Sequence, residues 1–193
     1  MFVTFVVTAA QSHDFSESFP GFEVVNVPSD GQCAFSAISH QLIARNLVNC
    51  EKSAKSGSIV RREVVDFLAT DEELKTRISN RLVEDQTIDK YISDMRLPET
   101  WADEDILYVA SICYDVQITV RRSESDADHI GSSLTDRSID LGYVCSDGSS
   151  PSPNHYVSLL PKANAGMILL LCSQFVGFSC KSFHLSVVYL IVV

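Results

Sequence analysis

The chain has 193 residues, with 15 Lys and Arg against 25 Asp and Glu, a formal net charge of −10 and an apolar fraction of 46%. That length suits one domain with a real core, and the acidity excludes a surface built to hold nucleic-acid phosphates while leaving room for a basic ligand or a purely solubilising role. Six cysteines at 33, 50, 113, 145, 172 and 180 include no C-x-x-C pair and no Cys/His cluster at zinc spacing, so the expectation is reduced thiols, no structural metal and a cytoplasmic protein.

Residues 1–21 read as a lead-in. Met1 to Ala10 is apolar but has no Lys or Arg before it, which fits a strand or a disordered start better than a signal peptide. Gln11 to Gly21 is polar and ends in the turn signal Pro20-Gly21, after which Glu23 to Val27 reads as a short strand. Pro28, Ser29, Asp30 and Gly31 then make a turn, and Phe35, Ile38 and Leu42 recur at helical spacing behind it. Cys33 is therefore expected at a helix N-terminus. Free N–H groups and the positive dipole end favour an anion there, so the thiol is expected to ionise readily and the same N–H groups to hold an oxyanion.

Further along, Ile59 to Thr70 carries Val60, Val64, Phe67 and Leu68 at helical spacing, and Thr70-Asp71-Glu72-Glu73 has the spacing of a capping box before another helix. Ile88, Tyr91, Ile92 and Met95 form a shorter apolar stripe, read as core. Asp103, Glu104 and Asp105 open a helix whose dipole they complement, an ordinary arrangement that outweighs a paired-carboxylate catalytic reading. Val116, Ile118 and Val120 alternate as a strand, and so do Ile139, Leu141, Tyr143 and Cys145. Ser123 to Arg137 between them is polar and reads as an exposed loop, with His129 a solvated rival base. His155 stands at the entrance of a last strand, after a turn-rich Ser/Pro run, where a side chain can reach a cleft yet be held by a sheet. Cys33 with His155 is the candidate nucleophile and base pair.

Asp30-Gly31-Gln32-Cys33-Ala34-Phe35-Ser36-Ala37 resembles the D-G-N-C-L-F-R-A signature of the ovarian tumour (OTU) family of cysteine proteases, and His155-Tyr156-Val157-Ser158-Leu159 resembles its H-Y-x-S-V/L. Two blocks between them agree in order. Val60 to Leu68 is similar to the family's L-R-x-x-V-V-x-x-[IL] helix, and Tyr91 to Arg96 followed by Thr100 to Asp103 is similar to its Y-x-x-x-M and T-W-G-[DG]. The resemblance implies a papain-like α+β fold over residues 22–161 and a deubiquitinase that cuts after the C-terminal glycine of ubiquitin, whose tail bears arginines. It implies Cys33 as nucleophile, His155 as base and then acid, Asp30 as the acidic residue of the turn, and no cofactor. Gln32 replaces the usual Asn, a mild change if its backbone N–H still serves the oxyanion. Val157 replaces the Asp or Asn that many relatives place two residues after the histidine. A substitute acceptor is expected from Asn154, Asp30 or a backbone carbonyl, and a carboxylate at 157 is expected to be tolerated. The same Val157 favours the alternative, a catalytically impaired ubiquitin-binding or scaffold protein.

Residues 162–193 form an apolar tail in which Gly166 to Val193 holds a single charge, Lys181. A membrane segment, a strand pair added to the sheet and an unstructured appendage are all compatible with it.

Overall fold

A computed structural model of the chain describes residues 14–47, 56–83, 85–132, 134–145 and 154–162. The chain divides into two compact units, Met1–Pro161 and Lys162–Val193, and all described residues except Lys162 belong to the first. The readings of Met1 to Ala10 and of the apolar tail lie outside the described residues. Among the described residues no helix is long and apolar enough to cross a membrane.

Among the described residues, five α-helices, α1 (Cys33–Ala44), α2 (Gly57–Thr70), α3 (Glu72–Ser79), α4 (Ile88–Met95) and α5 (Glu104–Cys113), pack with five strands. The strands are β1 (Phe22–Val25), β2 (Gln117–Arg121), β3 (Ala127–Ile130), β4 (Ser138–Val144) and β5 (His155–Pro161). They form one mixed sheet in the order β1-β5-β4-β2-β3, parallel between β2 and β4 and antiparallel elsewhere. The fold is α+β, as the helices-then-strands order predicts.

Because strand side chains alternate between faces, the sheet carries two cores. On one face Ile118, Val120, Ile139 and Leu141 meet Phe35, Ile38 and Leu42 of α1, Val60, Val64 and Leu68 of α2, Tyr91 and Met95 of α4, and Ile106 and Leu107 of α5. On the other, Val144, Val157 and Leu159 meet Phe15 and Phe19, so the polar lead-in contributes two aromatic side chains to the core. Phe19 is fully buried.

Helix positions follow the apolar stripes closely, and the differences are local. The capping box at Thr70 is replaced by a cap one residue later, where Asp71 accepts from the Leu74 N–H at 2.9 Å. Thr70 instead turns its hydroxyl back to the carbonyls of Asp66 and Phe67. The acids opening α5 behave as expected, with Asp103 capping the Ile106 N–H and also accepting the Tyr91 hydroxyl at 2.8 Å. The main departure is β3, which forms inside the segment read as an exposed loop. It pairs with β2 alone and shows Asp128 and His129 to solvent, so it has no buried face to imprint an apolar alternation.

Candidate active site

Cys33 is the first residue of α1, delivered by the expected turn. Gly31 has φ +79°, and a Cβ there would stand 2.7 Å from the Pro98 carbonyl oxygen, so both the backbone angle and the space select glycine. The Asp30 carboxylate accepts the Gln32 N–H at 3.0 Å and so pins the turn. That bond corrects one expectation, because the Gln32 N–H is already committed and is not free for an oxyanion. The Gln32 side chain does not cap α1 either, and the first intrahelical bond is Ser36 N–H to the Gln32 carbonyl. In contrast to α3, α4 and α5, whose first turns are capped by Asp71, Thr87 and Asp103, α1 leaves its leading N–H groups available at the thiol.

Position alone does not make this thiol acidic. Burial pushes Cys33 above its ordinary value, the N–H groups of Tyr156 and Ala34 pull it back, the Asp30 charge raises it again, and its own N–H lowers it. Desolvation of the thiolate outweighs the helix terminus, which reverses the expectation of a readily ionised cysteine. The Tyr156 contact also places the sulfur beside the residue that follows His155.

His155 is 2% exposed, at the head of β5, with Phe15 packed 6.4 Å from its ring centroid. Its Nε2 lies 2.9 Å from Asn26 Oδ1. A carboxamide oxygen can only accept, so Nε2 carries the proton and Nδ1 the lone pair. Nδ1 is buried and makes no hydrogen bond among the described residues. Burial pushes the imidazole below the ordinary histidine range, opposed by the Val27 carbonyl and the Asp30 carboxylate. Burial thus disfavours the charged form of each group, the Cys33 thiolate and the His155 imidazolium.

Asn26, one residue past β1, takes the acceptor role for which Asn154, Asp30 and a backbone carbonyl were the candidates. Asn154 donates its backbone N–H to the Val144 carbonyl, and Asp30 serves the turn while its charge reaches both Cys33 and His155. Val157 is fully buried against Phe15, Phe19, Val144 and Leu159. Its side chain is a core element, and a carboxylate in its place would be stranded among aromatic rings.

Two further arrangements hold the pair in register. Buried Gln41 of α1 donates to Ser158 Oγ at 2.9 Å and to the Leu159 carbonyl at 2.6 Å, and His40 Nδ1 lies 2.8 Å from the same hydroxyl. The helix carrying Cys33 is therefore bolted to the strand carrying His155 without any bond between the two. Arg61 of α2, 3% exposed, donates to the carbonyls of Gly31 (2.9 Å), Thr100 (2.8 Å), Met95 (3.0 Å) and Pro98 (3.2 Å), with its guanidinium 4.4 Å from the Phe35 ring centroid. It ties the turn before Cys33 to the loop after α4 and acts on the site through backbone. The motif blocks contain Arg61 and Ser158, but neither is marked there as part of the site. Asn26 carries no signal at all until the strands are in register.

Beside the nucleophile a cleft of about 410 Å³ is lined by Glu104 and Leu107 of α5, Arg122, His129 of β3 and the stacked rings of Tyr143 and Tyr156, whose centroids are 4.5 Å apart. Cys33 is close enough to raise both phenols, after burial. His129 faces this cleft with Nδ1 3.1 Å from Thr119 Oγ1, and it takes no part in the Cys33 surroundings.

Residues 28–145, well over half of the chain, match the family described as OTU-like cysteine protease. The chain belongs to the OTU family. The matched stretch holds Cys33 and its turn and stops short of His155, so the placement of the histidine comes from β5 itself. The OTU domain-containing deubiquitinating enzyme 4 of Arabidopsis thaliana is 27% identical over 120 residues, 60% of this chain and 36% of that protein, so the chain spans about a third of that relative's length. Among solved structures, the viral OTU domain protease from Dera Ghazi Khan virus (16% identity, 74% of this chain, 82% of that chain, TM-score 0.54) shares the fold. So does an OTU domain solved in complex with ubiquitin (15% identity, 78% and 81%, TM-score 0.52).

Proposed function

We propose that this OTU protein is a thiol-dependent deubiquitinase that hydrolyses the bond after the C-terminal glycine of ubiquitin, with Cys33 as nucleophile and His155 as base. The observation that carries the reading is the Asn26 bond to His155 Nε2, which fixes the tautomer and leaves Nδ1 unpartnered on a buried ring. The curated relative is named as a deubiquitinating enzyme and one fold neighbour was solved bound to ubiquitin, which supports ubiquitin as the partner here.

In this mechanism Nδ1 takes the Cys33 proton as the sulfur attacks the glycine carbonyl carbon. The oxyanion is held by the uncapped N–H groups that open α1. The tetrahedral intermediate collapses as Nδ1–H returns the proton to the leaving lysine amine, giving a thioester on Cys33. Water, deprotonated by Nδ1, then hydrolyses the thioester and restores the thiol. Because burial disfavours both the thiolate and the imidazolium, in this reading proton transfer accompanies attack.

The alternative, a catalytically impaired ubiquitin-binding or scaffold protein, drew on Val157; the Asn26 contact with His155 Nε2 supports the catalytic reading over it. The test is incubation of the full chain with ubiquitin bearing a C-terminal thiol-reactive group. A single adduct on Cys33 is expected, and labelling that persists in Cys33→Ala would overturn the assignment.

A further inference from the structure

In a chain of net charge −10, one cavity beside the nucleophile turn is lined by three arginines and no acid. It measures about 330 Å³ and is bounded by Gln32, Ser58, Arg61, Arg62, Arg96 and Pro98. It shares no residue with the tyrosine-lined cleft, and Gln32 immediately precedes Cys33, so the cavity borders the nucleophile turn. Two buried polar atoms of its lining side chains have no partner, the Nε of Arg61 and the Oε1 of Gln32. One is a donor on a guanidinium and the other an acceptor, and a buried polar atom without a partner is costly unless a ligand supplies one. Arg62 is exposed and makes no ion pair among the described residues, while Arg96 is ion-paired with Asp66. The Arg61 guanidinium also feels Asp30 and Glu99, but neither lines the cavity. The adjoining first turn of α2 has no side-chain cap, so its N–H groups add to the positive character of that wall.

An arginine-bearing ubiquitin tail is repelled by such a wall. Accepting the deubiquitinase reading above, the tail is left to the tyrosine cleft and the arginine cavity to the other side of the scissile bond. We propose that this cavity binds a carboxylate side chain of the substrate segment that carries the scissile lysine, so that the protein prefers lysines flanked by Asp or Glu. Arg62 attracts the carboxylate, Arg96 being already paired with Asp66, and Gln32 Oε1 accepts a backbone N–H of the same segment. A bidentate guanidinium-carboxylate contact has the geometry for this selection, and the preference weakens with salt because Arg62 and Arg96 are at the surface.

The test compares two ubiquitin-isopeptide substrates that differ only in whether Asp or Lys flanks the modified lysine. In the full-length protein kcat/KM is expected to favour the acidic flank by about tenfold, equivalent to ~1.4 kcal/mol. In Arg62→Glu the ratio is expected to fall to about one or to invert, and in the wild type it should shrink at high salt. A second readout needs no ubiquitin. The free acidic peptide should bind the Cys33→Ala protein about tenfold tighter than the basic one by fluorescence anisotropy, and Arg62→Glu should abolish the difference. Peptide discrimination without ubiquitin turnover would uphold the cavity and overturn the deubiquitinase reading. Turnover or binding with no preference between the flanks, or a preference untouched by Arg62→Glu, would overturn the cavity's role.

Discussion

The two halves of the candidate catalytic pair stand on different cores. Cys33 leads a helix whose Phe35, Ile38 and Leu42 are fully buried in the large cluster shared by all five helices and the sheet. His155 stands at the margin of the small cluster, where five buried side chains (Phe15, Phe19, Val144, Val157 and Leu159) and the partly buried Phe22 and Val24 cover the opposite face. A nucleophile needs its helix terminus held rigidly, whereas a base needs a ring that is correctly oriented and partly dry. The large core supplies the first and the small one the second. The α1–β5 bond set through Gln41 and Ser158 couples the two halves.

The strongest test of this division is His155→Ala, which should lower turnover about 10²–10⁴-fold while the Cys33 thiol still reacts with small alkylating reagents. Unchanged turnover on a fluorogenic ubiquitin substrate would move the base elsewhere. Next in size, Val157→Asp is expected to destabilise the fold by about 3–5 kcal/mol in urea unfolding, since an unpaired carboxylate would sit against Phe15 and Phe19. Equal or higher activity in that variant, the outcome expected from sequence spacing, would show that the small cluster is looser than its burial implies.

Asn26→Ala removes the acceptor for Nε2–H without touching either core, at a cost of about 1–3 kcal/mol, or roughly 5- to 150-fold in kcat/KM. Asn154→Ala should do less, and the reverse order would return the orienting role to Asn154. The smallest effect concerns pH. With His155 held below its ordinary value, the acid limb of kcat/KM should lie below pH about 6.5, because the neutral ring is the active form. The Asp30 carboxylate favours the charged ring, so Asp30→Asn should move that limb further down, by less than about one pH unit, while its carboxamide oxygen still accepts the Gln32 N–H. A limb that moves upward or stays fixed would remove Asp30's charge from the site's electrostatics.

Sequence alone determined the parts of this protein that local physics controls. The turn formers before Cys33, the apolar stripes of α1, α2, α4 and α5 and the alternation of β2, β4 and β5 each state their own conformation, because helix and strand periods appear directly in the order of residues. Asp30, Cys33 and His155 were named as candidates from motif blocks in order. A helix terminus is a local feature and desolvation is not, and it is desolvation that holds the Cys33 thiol above its ordinary value. The edge strand β3 was missed because it has only one neighbour and no buried face. Asn26 and Val157 could be assigned only by the fold. Val157 is opposite in role to the polar residue expected there because Phe15 and Phe19, over 130 residues earlier, cover its face. Asn26 reaches His155 across 129 residues because antiparallel pairing of β1 with β5 brings the end of one beside the start of the other. Contacts of that sequence separation leave no periodic trace in the chain, and tertiary packing is the only level at which they exist.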